Sequence, residues 1–490
     1  MRKNLWFAAL AAWAASAGAQ PPPVLPGPQP DGSTLLHNQW PIRPVGLQIE
    51  LGNFPVALAV DPSGRYAAAV EAGSAKHQIR IVDLREMRVA QTVAVHQAFG
   101  GIAFTPDGRR LVVSGGADNR LSVFAFDRGK TEPLAGIGLP SAEDYVVTAG
   151  VAAAPDSRSA FYTQLFTGRV GRVDLATGAP AWIRLLDPAG SFPARRLVRG
   201  EMPGIDAMQN FATLAGGSDP LGLAWDRRRE RLYVSLWGEA GIAVLDGRDG
   251  RELARWPTGL HPNELVLAPD GRRLFVSNGG LNTVTVLDAA SGQVRETLTS
   301  AIAAQDLPGS TPDSLALTRD GRRLFVANAS NNNIAVFDVS RSGHGRAEGF
   351  IPTAWFPSAV RLTPDGRRLL VLSARGTRPK PNNVDETTKF QLISGIYQGS
   401  LAIIDLPRGG AFDRALAGWT AAAEQCHPAP PAAAPAPGDP IPPRGGGPTP
   451  IRYVIYVIKE NRTYDQVLGD MPEGNGDRNL CLFPEAVTPN

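Results

Sequence analysis

Apolar and polar positions alternate with a period of two in short runs separated by tight polar turns, which is the pattern of half-buried antiparallel strands. Leu223-Ala224-Trp225 and Leu315-Ala316-Leu317 each read as the first strand of a unit. An Asp-Gly pair then supplies the positive φ of a hairpin. Leu274-Phe275-Val276 returns as a second strand, 278–282 turns again, and Val284-Thr285-Val286-Leu287 forms the third. With a shorter fourth strand, such a unit is one small sheet that cannot bury both of its faces alone.

The unit repeats. The phrase Pro-Asp-Gly-Arg-Arg-Leu stands at 106–111, 269–274 and 364–369, and degenerate copies place turn aspartates at 61, 156, 226 and 320. The turn aspartates are therefore 46, 49, 70, 44, 50 and 45 residues apart, which makes seven units. A second landmark, a strand ending in aspartate, follows at Asp83, Asp174, Asp246, Asp288 and Asp338. Units of this length stack sheet on sheet around an axis. The expected fold is all-β: a seven-bladed β-propeller over residues 46–406, followed by a Pro-rich linker and a truncated α/β segment. Leu47-Gln48-Ile49-Glu50-Leu51 has the alternation of a fourth strand without a blade of its own, so it is expected to complete blade seven and close the ring. The long interval after Asp156 holds an insertion from Trp182 to Gly217, and blade seven holds another from Arg375 to Gln398. Loops of that length are more often functional than decorative.

A hydrophobic content of 43% with 19% charged residues excludes a disordered chain, and 53 Gly with 43 Pro favour turns over long helices. The 49 basic and 46 acidic residues nearly balance, so no nucleic-acid partner is expected. At the amino terminus Arg2 and Lys3 precede an apolar stretch from Leu5 to Ala15, and Ala17-Gly18-Ala19 offers a signal-peptidase site. Residues 1–19 are thus expected to be a signal peptide cut after Ala19, leaving a periplasmic or secreted chain that opens with a Pro-rich lead over 20–45. The apolar stretch is too short to cross a bilayer as a helix, so no stable membrane insertion is expected after cleavage. Cys426 and Cys481 are free to pair in an oxidising compartment or to remain thiols.

Loops leading into the first strands of a propeller's blades converge on one end of its channel. Here they carry Asp219-Pro220, His261-Pro262-Asn263-Glu264, Pro312-Asp313-Ser314 and Phe356-Pro357-Ser358. Asp219, His261, Asn263 and Asp313 are therefore candidate ligand-facing groups of a polar funnel, or else residues that satisfy backbone groups where the strands begin. The remaining histidines, His37, His77, His96, His344 and His427, lack metal-ligand spacing. No nucleophile-elbow, zinc-helix or phosphate-loop motif occurs, and no cofactor is expected for the propeller.

Ten of the twenty-three residues from 428 to 450 are proline, so 407–450 reads as a semi-rigid tether between domains. Beyond it, Arg452-Tyr453-Val454-Ile455-Tyr456-Val457-Ile458 is apolar nearly throughout, as in a parallel strand covered on both faces. Lys459-Glu460-Asn461-Arg462-Thr463-Tyr464-Asp465 follows at the strand's carboxyl end, where open α/β sheets place their sites. A carboxylate beside a side-chain amide suits a hard divalent cation, and it equally suits a charged loop that caps a helix.

The units from Gly46 to Asp405, with Leu274-Phe275-Val276-Ser277-Asn278 and Leu324-Phe325-Val326-Ala327-Asn328 among them, resemble the YVTN-type β-propeller repeats of secreted bacterial proteins. That likeness speaks for fold and not for ligand. The run V-I-K-E-N-R-T-Y-D-Q-V-L-G-D over 457–470, with Gly474-Asn475-Gly476-Asp477, resembles the opening of the phosphoesterase family of the alkaline phosphatase superfamily, which includes phospholipase C-like enzymes and acid phosphatases. The resemblance covers 451–490. It implies that Glu460 and Asn461 bind a divalent metal ion in the complete parent protein, with Arg462, Tyr464 and Asp465 in supporting positions. The order, propeller then phosphoesterase, also resembles a known bifunctional architecture. The family's Ser or Thr nucleophile and its downstream Asp and His ligands have no counterpart here, so 451–490 is expected to be an amino-terminal stub that is inactive alone.

Three function classes follow. The propeller is expected to be the non-catalytic part of a metal-dependent phosphoesterase, with the downstream phosphoesterase domain as its partner. The alternative is a stand-alone module that binds a ligand of the cell envelope. A lactonase-like hydrolase acting at the funnel comes third, because it has no motif behind it.

Overall fold

The repeat aspartates are turn-forming residues. Thr105 Oγ1 donates to Asp107 Oδ1 at 2.6 Å, and the same carboxylate accepts the Arg109 N–H at 3.0 Å. Thr318, Asp320 and Arg322 repeat this arrangement, as do Thr363, Asp365 and Arg367. Gly108 and Gly366 take the left-handed φ of 69° and 67° that these hairpins need. In the degenerate copies Ser157 and Glu230 take it, at 56° and 50°. The second set of aspartates builds the next hairpin in the same manner. Asp174 accepts the Ala176 and Thr177 N–H groups at 2.9 and 2.8 Å, and these bonds, the one from Thr177 foremost, hold its carboxyl below the ordinary range.

The computed structural model describes residues 24–141, 146–187, 217–303, 309–380, 393–427, 440, 449–457, 462–474 and 476–487. Within them lie seven antiparallel sheets of four strands or more and one small three-stranded sheet over 27–42. The blades begin with the strands Pro55–Val60, Ile102–Phe104, Val147–Ala153, Pro220–Asp226, Pro262–Leu267, Pro312–Leu317 and Trp355–Leu362. Each touches the next in order, and the seventh touches the first, so the ring is closed. The closing strand is Leu47–Glu50, which pairs antiparallel with Ser400–Asp405 in the register Leu47 to Ile403 and Glu50 to Ser400.

Apolar residues fill each space between neighbouring blades. Phe275, Val286 and Leu298 of blade five meet Leu324, Val326 and Ala335 of blade six, and corresponding clusters lie at the other six interfaces. Second strands are buried on both faces, as in Arg273–Asn278, whereas outer strands such as Arg88–Ala94 alternate between covered and exposed positions.

The structure differs from the sequence expectation at three places. Residues 407–427 are more than a tether: Gly410–Cys426 is a 17-residue helix that lies on Arg346–Pro352, the last strand of blade six. Phe412, Leu416 and Ala423 are buried on one side, and Thr420 Oγ1 accepts the Phe350 N–H at 2.9 Å, so the helix satisfies a sheet edge that would otherwise be bare. The insertion after Asp156 also starts later than Trp182, which belongs to the strand Pro180–Leu185, and 188–216 lies outside the described residues. Finally, residues 429–490 form a compact unit of their own, but the strand expected over 452–458 is not formed in its described part. Residues 451–457 join no sheet and are exposed, Tyr453 at 89% and Val454 at 81%. A parallel strand is covered on both faces by neighbours and crossover helices, and no neighbouring strand exists among the described residues of this unit. Cys426 and Cys481 are free thiols, and burial pushes that of Cys426 up to about 11. The expected signal, residues 1–19, lies outside the described residues; among these, no helix is long and apolar enough to cross a membrane.

Candidate functional site

A shared backbone device fixes the loops that lead into the first strands. Phe54, Asp219, His261 and Thr311 each take a left-handed φ, between 45° and 53°, immediately before a proline. Their carbonyls accept N–H groups from the end of the second strand: Ala72 at 3.2 Å, Trp237 at 3.1 Å, Gly279 at 2.8 Å and Ala329 at 2.9 Å. A second device ties one blade to the next. Ser235 Oγ accepts the Gly222 N–H of its own blade at 2.7 Å and donates to the Asn263 carbonyl of the following blade at 2.8 Å. Thr163 does the same between Gly150 and Leu221, at 2.7 and 3.1 Å, and Ser277 accepts the Glu264 N–H at 3.0 Å. In these blades a hydroxyl near the end of the second strand thus fixes the backbone of the strand beside it.

On this scaffold the four candidate funnel residues fall into two groups. Asn263 Nδ2 donates to Asp313 Oδ1 at 2.8 Å, so those two are brought together. His261 and Asp219 meet instead at Trp237. The His261 ring stacks on the indole with centroids 4.0 Å apart and has its Nδ1 3.1 Å from the Trp237 carbonyl. Both Asp219 and His261 therefore do backbone work at the lead-in, and His261 has a ring partner as well.

Three participants were not singled out by sequence. Glu264 forms an ion pair with Arg361 at 2.7 Å and also accepts Ser314 Oγ at 2.6 Å and the Leu315 N–H at 2.8 Å. Glu264 and Arg361 belong to blades five and seven, and Ser314 of blade six lies between them. Burial first, and the Glu264 charge second, push the Asp313 carboxyl up to about 7, against the opposing bond from Asn263. The third is Trp237, for which the sequence holds no signal beyond an aromatic residue after a second strand.

The remaining histidines behave as scattered residues. His77 Nδ1 accepts the Ala98 N–H at 2.9 Å and His96 pairs with Asp118 at 2.9 Å. Among the described residues no three His, Cys, Asp or Glu gather as a metal site. Glu460 and Asn461 lie outside the described residues. Of the supporting positions, Asp465 Oδ1 accepts the Asp477 N–H at 2.7 Å, fastening one part of the tail motif to the other. Arg462 lies 5.6 Å from the Phe483 ring, and Tyr464 starts the short helix Tyr464–Leu468 behind a Thr463–Gln466 capping box.

Comparisons with known proteins agree with this architecture. A family model described as lactonase, 7-bladed beta-propeller, matches residues 251–390. The chain is an all-β propeller. Hydrazine synthase subunit beta of Kuenenia stuttgartiensis is 29% identical over 265 residues, which are 48% of this chain and 54% of that protein. The chain thus spans about half the length of this curated relative. Among solved structures, hydrazine synthase of Kuenenia stuttgartiensis aligns over 66% of this chain and 93% of its own at 17% identity, with a TM-score of 0.49. The RRP9 WD40 repeats align over 74% of this chain and 100% of their own at 10% identity, with a TM-score of 0.54. At 10% identity the likeness to the RRP9 repeats is one of fold alone.

Proposed function

We propose that the propeller is the non-catalytic, ligand-recognising part of a secreted or periplasmic protein whose residues 451–490 open a metal-dependent phosphoesterase domain. The observation that carries this reading is the Glu-Asn-Arg-Thr-Tyr-Asp run at 460–465, set behind a Pro-rich tether on a unit separate from the propeller. The Asp465 to Asp477 bond supports it, because it joins the two stretches that bear the family resemblance. Glu460 and Asn461 would hold the cation, which when bound supplies charge stabilisation for hydrolysis of a phosphate ester. A second reading, lactone hydrolysis at the channel, is favoured by the family-model match over 251–390 and by Asp313, a carboxyl pushed up to about 7 and so suited to general-base work.

One paired assay separates the two. The full-length gene product is given an aryl phosphate with Mg²⁺, Mn²⁺ or Ca²⁺, and separately a simple lactone. The phosphoesterase reading expects cation-dependent phosphate release that falls about a hundredfold or more in Glu460→Ala, with no lactone turnover. Phosphate release indifferent to that change overturns it, and lactone turnover lost in Asp313→Asn replaces it with the second reading.

A further inference from the structure

Among the described residues, three side-chain oxygens at the joint between blades three and four are buried without a hydrogen-bond partner: Asp187 Oδ2, Ser218 Oγ and Asp219 Oδ1. Their residues are 5%, 0% and 1% exposed. Asp187 follows the outer strand Pro180–Leu185 of blade three, and Ser218 and Asp219 lead into the first strand of blade four. The Ser218 N–H donates to Asp187 Oδ1 at 2.9 Å, which places the three residues side by side. Gly168, at a φ of 61°, packs so closely on the Asp187 carboxylate that a Cβ there would collide with it.

The joint between blades five and six provides an internal comparison. There Asn282 Oδ1 accepts the Gly309 and Ser310 N–H groups, both at 2.9 Å, and Ser310 Oγ at 2.8 Å. Thr311 holds the left-handed lead-in position that Asp219 holds in blade four. The same mechanical task is thus done at that joint by an amide and two hydroxyls, with the serine hydroxyl satisfied and no charge buried. At the joint of blades three and four it is done by two carboxylates, and the serine hydroxyl is orphaned. Among the described residues no cation acts on Asp219: burial first, then Asp187, and also Glu239 push its carboxyl up, to about 6, with the Phe166 N–H in opposition.

We propose that Asp187, Ser218 and Asp219 form a binding site for a hard divalent cation, Ca²⁺ in the first instance. Two adjacent desolvated carboxylates cost several kcal/mol unless a counter-charge is present. A proton shared between them would answer the charge but leave Ser218 Oγ without a partner, whereas a cation takes all three oxygens. An all-oxygen set excludes the thiolate- and imidazole-seeking metals, and a loop-borne set completed by water suits Ca²⁺ better than the rigid octahedron of Mg²⁺. The site lies in the propeller and does not depend on the phosphoesterase reading.

The test uses the whole chain, stripped with EDTA, dialysed and titrated with CaCl₂ at pH 7.5 while its melting is followed, with Tb³⁺ luminescence excited through tryptophan as the direct binding readout. The Trp237 backbone N–H donates to the Asp219 carbonyl at 3.1 Å, so Trp237 neighbours the site and is the expected sensitiser. The melting temperature should rise by several degrees with Ca²⁺. Asp187→Asn with Asp219→Asn, which imitates the neutral joint, should abolish the rise and cut the Tb³⁺ signal about tenfold or more. Ser218→Ala should weaken Ca²⁺ binding about three- to tenfold, and Glu460→Ala should leave the Tb³⁺ signal at this site intact. The proposal fails if melting ignores Ca²⁺, Mg²⁺ and Mn²⁺, or if the Tb³⁺ signal survives the double substitution. Should the double variant not fold, unchanged Ca²⁺ affinity in Ser218→Ala overturns the proposal alone.

Discussion

Asp313 accepts from Asn263 at 2.8 Å and has its carboxyl pushed up to about 7 by burial and by Glu264. Unfolded, the same carboxyl titrates near 3.9. Between about pH 4 and 7 the folded chain therefore binds the proton more tightly than the unfolded chain does, so this group's contribution to stability falls as pH rises through that window and is flat above it. Asp313→Asn removes the titration while keeping an oxygen for Asn263. Urea unfolding should show the variant gaining on the native chain by roughly 2–3 kcal/mol between pH 5 and pH 8; an equal difference at both pH values would contradict this. At this scale the sequence revealed position better than partnership. A proline after each lead-in residue marks Asp219, His261 and Thr311, because proline fixes the start of the strand that follows. The pairing of Glu264 with Arg361 bridges 97 residues and exists only once the ring has closed, so no local spacing could announce it. Asp187 was missed for a related reason: its partners Ser218 and Asp219 stand on the far side of a long insertion.

Strand Leu47–Glu50 shows what an element contributes beyond its own residues. Its alternation was legible, and the structure pairs Leu47 with Ile403 and Ile49 with Leu401, burying Ile49 and Leu51 between blades seven and one. Without it, Ser400–Asp405 is an open edge beside the first blade. Removing residues 1–51 should therefore lower the yield of soluble monomer several-fold relative to removing 1–45, a comparison that holds constant the loss of Leu36 and Ile42, which pack on Trp355. Equal yields and equal melting temperatures for the two truncations would contradict ring closure by this strand. The helix Gly410–Cys426 is the element that was overlooked. Its buried residues Phe412, Leu416 and Ala423 recur at near-helical spacing, but the Ala-rich stretch adjoins a Pro-rich one whose composition obscures that short periodicity. The bridging role of Thr163 and Ser235 between blades requires the neighbouring blade to be in place, so the strand pattern alone does not announce it.

For the whole molecule, the seven-fold repeat made the propeller legible because every copy builds the same sheet and every interface is the same apolar contact, repeated until it returns to its start. No such redundancy supports 451–490, which occurs once and whose expected strand needed neighbours that the repeat could not supply. The energetics separate the two parts. A large apolar side chain fully buried contributes about 1.5–3 kcal/mol, and Leu274, Phe275 and Val276 of the second strand of blade five are each 0% exposed. Tyr453, Val454, Ile455, Tyr456 and Val457 are between 74% and 89% exposed, so their burial offsets little of the roughly 1–2 kcal/mol per residue that ordering a backbone costs. Their amides join no ladder. Hydrogen exchange of the whole chain should therefore find residues 452–457 exchanging near the rate of an unstructured peptide, while Arg273–Asn278 resists exchange with a free energy approaching that of global unfolding. On the proposed phosphoesterase reading, supplying the sheet of such a domain should bring protection to 452–457 and leave Arg273–Asn278 unchanged, because its strands would cover that segment alone. Strong protection of 452–457 in the isolated monomer would mean that the segment already has a packing partner, and the account of it as a strand awaiting its sheet would be wrong.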